Sequence, residues 1–228
     1  MTTELFAIIA WICIIATITT LSSLYARKQK RPDAIIALYV AIVIVSNILA
    51  YKIATFNLGF FTVFGPAATI LFPITFLLTD VVTQAFGKEH AIRMIRTAFL
   101  CQLAVLAFIY LAIRLSPAPF WTDQTAFAQI LGFTPRIAIA SLIAFYTSET
   151  TDAHIFSYFK KLTKGRFLWM RVIVSGFPSM VLDTVIFVTI AFFGVAPLWP
   201  LIFGVIILKW LVGIINIPFM YLHRWILN

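Results

Sequence analysis

The sequence predicts an all-α, polytopic integral membrane helix bundle of about seven transmembrane helices. Three observations predict it. The 228 residues are 62% hydrophobic and 11% charged, with a mean hydropathy of +1.03, where a soluble domain is nearer half apolar and a quarter charged. Seven apolar stretches reach the ~20 residues a helix needs to cross a bilayer. Basic residues alternate between loops, crowding every second one.

The expected spans lie near 4–25, 34–52, 62–87, 91–114, 136–159, 171–194 and 198–221. Alternating strand periodicity is absent and the runs exceed strand length, so every span reads as helix. The first run lacks a basic start, carries Glu4 and is too long for a secretory signal, so it counts as a true span. Residues 1–228 read as a single transmembrane domain, with no separate globular unit. The stretch 116–135, with its prolines and Trp121, reads as the longest connector, lying on the membrane surface. Cys13 and Cys101 sit in apolar runs and read as small buried hydrophobes.

Orientation follows from Lys and Arg. Thirteen fall on one side: Arg27 to Arg31 after span 1, Lys88 to Arg96 after span 3, Lys160 to Arg171 after span 5, and Arg224 after span 7. Three fall on the other: Lys52, Arg114 and Arg136. The positive-inside rule places the N-terminus outside and the C-terminus in the cytoplasm. This placement accounts for the net charge of +9. It leaves no continuous basic patch, which speaks against a nucleic-acid partner; the lipid bilayer is the expected environment.

Five charges fall within spans: Asp80, Glu149, Asp152, Asp183 and Lys209. Each costs about 2.5–3.5 kcal/mol at a helix centre facing lipid. They are therefore expected to face one another or an internal cavity. Glu149 and Asp152 are three residues apart and share a helix face. Ser175, Ser179 and Asp183 repeat every four residues, as do Lys209 and Gly213; Ser46 and Asn47 are polar within span 2. Four acids against one base leave a local surplus of negative charge, so either some acids are protonated or a ligand supplies donors. Span 3 contains Pro66 and Pro73, and span 6 contains Pro178; interrupted helices accompany many transporter sites.

The stretches ILFPITFLLTDVVTQAFGKEHAIRMI (70–95), IAIASLIAFYTSETTDAHIFSYFKKLTKGRFLWMR (137–171), VLDTVIFVTIAFFG (181–194) and LKWLVGIINIPFMY (208–221) resemble the queuosine precursor transporter family. The likeness covers roughly residues 45–222. It implies a six-helix core over 34–222, with residues 1–30 an added N-terminal helix and basic loop. It also implies import of 7-cyano- or 7-aminomethyl-7-deazaguanine across the bacterial inner membrane for queuosine salvage in tRNA. On this resemblance Asn47, Phe72, Asp80, Asp152, Asp183 and Lys209 occupy family positions. Glu149 and Met180 stand where the family often has Gln, three residues before an Asp. Those two are expected to touch the substrate and to tune which base is taken.

The chemistry of a guanine-like base fits these residue types. Its N1–H and exocyclic NH₂ suit a carboxylate in bidentate fashion. The acceptors on its O6 side suit Lys209 or Asn47. Phe72, Phe145, Phe156 or Trp169 could stack on the ring. An extra acid at Glu149 favours the cationic aminomethyl form. No Walker A sequence occurs, and no cofactor or metal is expected: the three His residues show no metal-ligand spacing. An intramembrane enzyme is the weaker alternative, because no GxGD-type sequence accompanies the aspartates. A substrate-binding subunit with a separate energising partner, or an importer of another planar heterocycle, remains an alternative. The sequence leaves room for a homo-oligomer.

Overall fold

The computed structural model describes residues 2–58, 61–162 and 168–227. Among them are seven α-helices: α1 (Thr2–Gln29), α2 (Asp33–Leu49), α3 (Phe72–Phe86), α4 (Lys88–Arg114), α5 (Gln124–Leu162), α6 (Leu168–Phe192) and α7 (Leu198–Leu227). Between α2 and α3 the chain forms two antiparallel strands, β1 (Ile53–Asn57) and β2 (Thr62–Pro66), and a 3-10 turn, Ala67–Ile70. Two helical segments, Lys88–Arg114 and Gln124–Ser148, are long and apolar enough to cross a membrane. Shorter apolar ones are Asp33–Leu49, Pro178–Phe192 and Leu198–Val212.

Local chemistry sets the helix ends. Asp33 begins α2 and Glu89 lies in the first turn of α4, where a negative charge suits the helix dipole. Arg27 and Lys28 close α1, and Arg114 closes α4, at the opposite pole. Gly87, at φ 88°, reverses the chain between α3 and α4 with no further linker, in a conformation that favours glycine. Pro73 sits in the first turn of α3, where its missing N–H costs nothing. Pro135 and Pro178 lie inside α5 and α6.

The apolar interior falls into two clusters. One joins α1 to α4 through Ile15, Ile35, Ile74, Leu78, Val81 and Met94. The other joins α5, α6 and α7 through Ile137, Ala140, Ala144, Val188, Phe192 and Leu201. Ala140 and Ala144, four residues apart, let α5 approach α6 closely, as small residues do between membrane helices. Helix α3 packs on α1, α2, α4 and α7, and α5 packs on α2, α4 and α6, so these two tie the halves together.

Three expectations need correction. The all-helix reading of 62–87 fails at its start: residues 62–66 are strand and α3 begins at Phe72. Ile53, Thr55, Phe56, Val63 and Phe64 are β-branched or aromatic, the types that favour a pleated, half-buried surface. The register pairs Ile53 with Pro66 and Asn57 with Thr62. Leu58 N–H donates to the Phe61 carbonyl at the turn, and Ala67 N–H to the Lys52 carbonyl at the base. The expected connector 116–135 is also shorter: helix α5 starts at Gln124, leaving residues 115–123 as the link. Phe120 and Trp121 on that link are exposed, as befits a membrane-surface segment. Cys13, expected buried, is exposed.

Helix α2 stops partway across the bundle. Asn47, two residues from its end, bonds to Gln102 on α4. Gln102 lies twelve residues below Arg114, about 18 Å along the helix axis. Counted up from Gly87, Phe72 on α3 and Gln102 on α4 are both about 22 Å away. Helix α2 therefore ends, and α3 begins, near half the height of α4. The hairpin and 3-10 turn fill the space above them, against α7. Non-helical backbone at such depth is stable only when packed inside protein or lining a cavity.

Strand β2 presses directly on α7. A Cβ at Gly204 would stand 1.9 Å from the Phe64 carbonyl oxygen, so only glycine allows the contact. One turn on, Gly65 faces Leu208 and Val205.

Candidate functional site

On one wall, Lys209 Nζ of α7 donates to Asp183 Oδ2 of α6, forming an ion pair between neighbouring helices. The two side chains keep 21% and 26% of their surface exposed, so the pair is not sealed in a core. Lys209 is about 16 Å along α7 from Leu198, and Asp183 about 13 Å from the end of α6. Around the pair, Met180 is half-buried and Ser179 buried. Thr184 Oγ1 is turned away into a bond with the Met180 carbonyl.

At a similar depth in the other half, Asn47 Nδ2 donates to Gln102 Oε1 at 3.0 Å. Asn47 is 5% exposed, Gln102 3% and the adjoining Ser46 1%. Among the described residues, Ser46 Oγ and Gln102 Nε2 have no hydrogen-bond partner. Each such orphan costs about 1–3 kcal/mol. The bundle thus carries a polar layer at mid-height: an amide pair on α2 and α4, and an ion pair on α6 and α7.

Both ends of the bundle are tied by arginines. Arg136 on α5 donates from Nε to the Ile190 carbonyl (2.7 Å) and from Nη2 to the Phe193 carbonyl (2.6 Å). These acceptors lie at the C-terminal end of α6, where carbonyls lack helical partners. The guanidinium also lies over Phe133, 5.5 Å from the ring centre, and Phe133 meets Tyr51 edge-on. At the opposite end Arg27 Nη1 donates to the Ile226 carbonyl, joining the ends of α1 and α7.

Of the residues singled out in the sequence, the structure pairs Asp183 with Lys209 and gives Asn47 a partner on α4. Phe145 on α5 is exposed (37%), with its carbonyl accepting from Ser148 Oγ. Phe72 and Asp80 fall on α3, and Glu149 and Asp152 on α5. The side chains of these four lie outside the described residues, as do those of Phe156, Trp169, Ser175, Gly213 and Asn216. Gln102 escaped the sequence reading, which sorted charges and overlooked a lone amide in the apolar run FLCQLAVLAF. Gly204 escaped it too, since glycine alone gives no hint of a strand resting on it.

Residues 66–223 match the family model described as "Putative vitamin uptake transporter". The match takes in α3 to α7 and leaves out α1, α2 and Asn47. The chain is 34% identical over 166 residues to the "Probable queuosine precursor transporter" of Bacillus subtilis (strain 168), covering 69% of this chain and 72% of that one. It is 31% identical over 157 residues to the "Queuosine precursor transporter" of Escherichia coli (strain K12), covering 69% and 67%. A third relative, from Haemophilus influenzae, is 30% identical over 125 residues, 55% of this chain and 51% of that protein. No solved structure matches the chain. With most of its length inside the family model and two relatives matched over two thirds of their own length, the chain belongs to the queuosine precursor transporter family.

Proposed function

We propose that this chain is a membrane transporter, not an enzyme, that imports queuosine precursors into the bacterial cytoplasm as 7-cyano- or 7-aminomethyl-7-deazaguanine. The observation that carries the reading is the Asp183–Lys209 pair, partly exposed and at mid-height between α6 and α7. It offers the two complementary charges that a guanine-like edge needs. The Asp183 carboxylate accepts from N1–H and the exocyclic NH₂, and the Lys209 ammonium donates to O6. In the empty site each charge is the other's partner; an arriving base replaces that contact. The family relatives, all named as transporters of queuosine precursors, point the same way.

In this reading Asn47, Phe72, Asp80, Phe145, Glu149, Asp152 and Met180 complete the path around the pair. The stop of α2 and start of α3 at mid-height supply the interrupted helices typical of such paths. Residues 34–222 form the transport core and α1 is an added helix within one domain. The N-terminus lies outside and the C-terminus inside. The Arg27–Ile226 bond supports this, since it brings together two helix ends that the charge pattern assigns to the cytoplasmic face.

Complementation tests the function. Bacteria unable to make the precursor, and lacking their own importer, receive this chain and nanomolar base. Queuosine in tRNA is then measured. Rescue by the wild type, and loss in folded Asp183→Asn, is the expected result. Failure of well-expressed wild type with both bases would refute the proposal.

A further inference from the structure

The register of the hairpin decides what each strand turns outward. Lys52 and Ala67 form a bonded pair at its base, and Leu58 and Phe61 a bonded pair at its turn. Bonded and non-bonded pairs alternate along an antiparallel ladder. Ala54 and Phe56 of β1 therefore turn their N–H and C=O toward β2, and Ile53 and Thr55 turn theirs away. On β2 the residues turned away are Thr62, Phe64 and Pro66. Two observations agree with this. Pro66, which has no N–H, falls at a non-bonded position. The nitrogen and carbonyl oxygen of Phe64 are atoms that meet α7 at Gly204. The outer edge of β2 is thus covered by α7. No described helix packs on β1 as α7 packs on β2. Among the described residues, the backbone of Ile53 and Thr55 bonds to nothing beyond the hairpin, and both residues are exposed.

This free edge lies at membrane depth. Strand β1 follows the mid-height end of α2, and β2 runs beside the outer half of α7, with Phe64 at Gly204 and Gly65 one turn further in at Leu208. Five strand residues cover about 17 Å, close to half of the ~30 Å hydrocarbon thickness. Strand backbone at that depth is stable against protein or against water, and not against lipid. With no described element over it, the edge of β1 faces water. We propose that this edge walls a water-filled entry from the outer face, and that the backbone of Thr55 is the first binding station for the base on its way to Asp183 and Lys209. A residue on a strand edge offers one N–H and one C=O side by side. Their complement is a cyclic amide, which a deazaguanine carries as N1–H and O6. The base then hands the same edge on to the ion pair. The station rests on the transporter reading above; the wet edge rests on the membrane span alone.

The test reads labelling and uptake in intact cells, with protein freed of Cys13 and Cys101. Thr55→Cys is expected to react with a maleimide that does not cross membranes, and saturating 7-cyano-7-deazaguanine is expected to slow that reaction several-fold. Phe108→Cys is the control: it is exposed on α4, about 9 Å below Arg114, and faces lipid, so it stays unlabelled. Thr55→Pro removes the outward N–H and no ladder bond. It is expected to raise the half-saturating base concentration for uptake about tenfold, the worth of one well-made hydrogen bond. Thr55→Ala keeps the backbone and is expected to stay within about twofold of the wild type. A Thr55→Cys as unreactive as Phe108→Cys overturns the wet edge. Labelling that the base does not slow, or a Thr55→Pro whose loss is confined to the maximal rate, overturns the station, since a structural role acts on the amount of working protein. Both outcomes leave the transporter reading intact. Wild-type protein that takes up neither base overturns that reading, and the station with it.

Discussion

Replacing Gly204 by alanine should destabilise the protein, although helix propensity alone predicts the reverse. In an exposed helix interior, Gly→Ala gains about 1 kcal/mol. Here the new Cβ would stand 1.9 Å from the Phe64 carbonyl oxygen and 2.8 Å from its carbonyl carbon and nitrogen. These are backbone atoms, so no rotamer change relieves the clash. Real Cβ atoms do not come closer than 3.0 Å to such neighbours, so β2 must retreat from α7 by about 1 Å or more. That retreat also loosens Gly65 from Leu208. Overpacking of this kind costs about 1–3 kcal/mol, which outweighs the propensity gain in most of that range. A net loss of up to about 2 kcal/mol corresponds to a melting point lower by up to roughly 8 °C for a chain of this size. Gly132→Ala is the control: its Cβ would meet only Ile113 Cδ1, at 3.7 Å, an ordinary contact. Melting in detergent, followed by fluorescence-detected size exclusion, gives the answer. Gly204→Ala as stable as Gly132→Ala would refute the seating of the hairpin on α7.

Three further outcomes follow from the geometry. Asp183→Asn and Lys209→Met should each abolish uptake, and the double variant should recover part of the stability lost by either alone but none of the transport, because each single change strands one charge at mid-height; additive stability losses would count against the pair. Arg136→Met removes both bonds to the end of α6 and should cost about 1–3 kcal/mol, read as an earlier melting transition, with no change in which base is bound. In a protein freed of Cys13 and Cys101, a cysteine at Ser116 should react with a membrane-impermeant maleimide in intact cells and one at Lys30 only after lysis; the reverse pattern would invert the proposed orientation.

Much of the bundle can be read from hydropathy, because a run such as 91–114 has one physical solution in lipid. The observed α4 differs from that expectation by three residues at its start. The Asp183–Lys209 pair was foreshadowed by the cost of a lone charge at mid-height: the single intramembrane base needed an acid. The hairpin was illegible for the converse reason. IATFN fell in the link between two expected spans, TVFGP was absorbed into the start of the next one, and five residues are too few to establish a period of two. The start of α5 was misplaced because Pro135 looked like a boundary, yet it is accommodated inside the helix. Gln102 was missed because an uncharged amide barely alters hydropathy. Its importance comes from lying beside Asn47, 55 residues away in sequence.

The central claim is that this chain alone carries a deazaguanine through a path bounded by Asp183 and Lys209. Its most direct test is uptake of radiolabelled 7-cyano-7-deazaguanine into liposomes containing only the purified protein. The account predicts saturable uptake above protein-free liposomes that disappears with Asp183→Asn, while that variant still elutes as a folded species. Uptake no faster than in protein-free liposomes, or equal uptake by the wild type and Asp183→Asn, would contradict it.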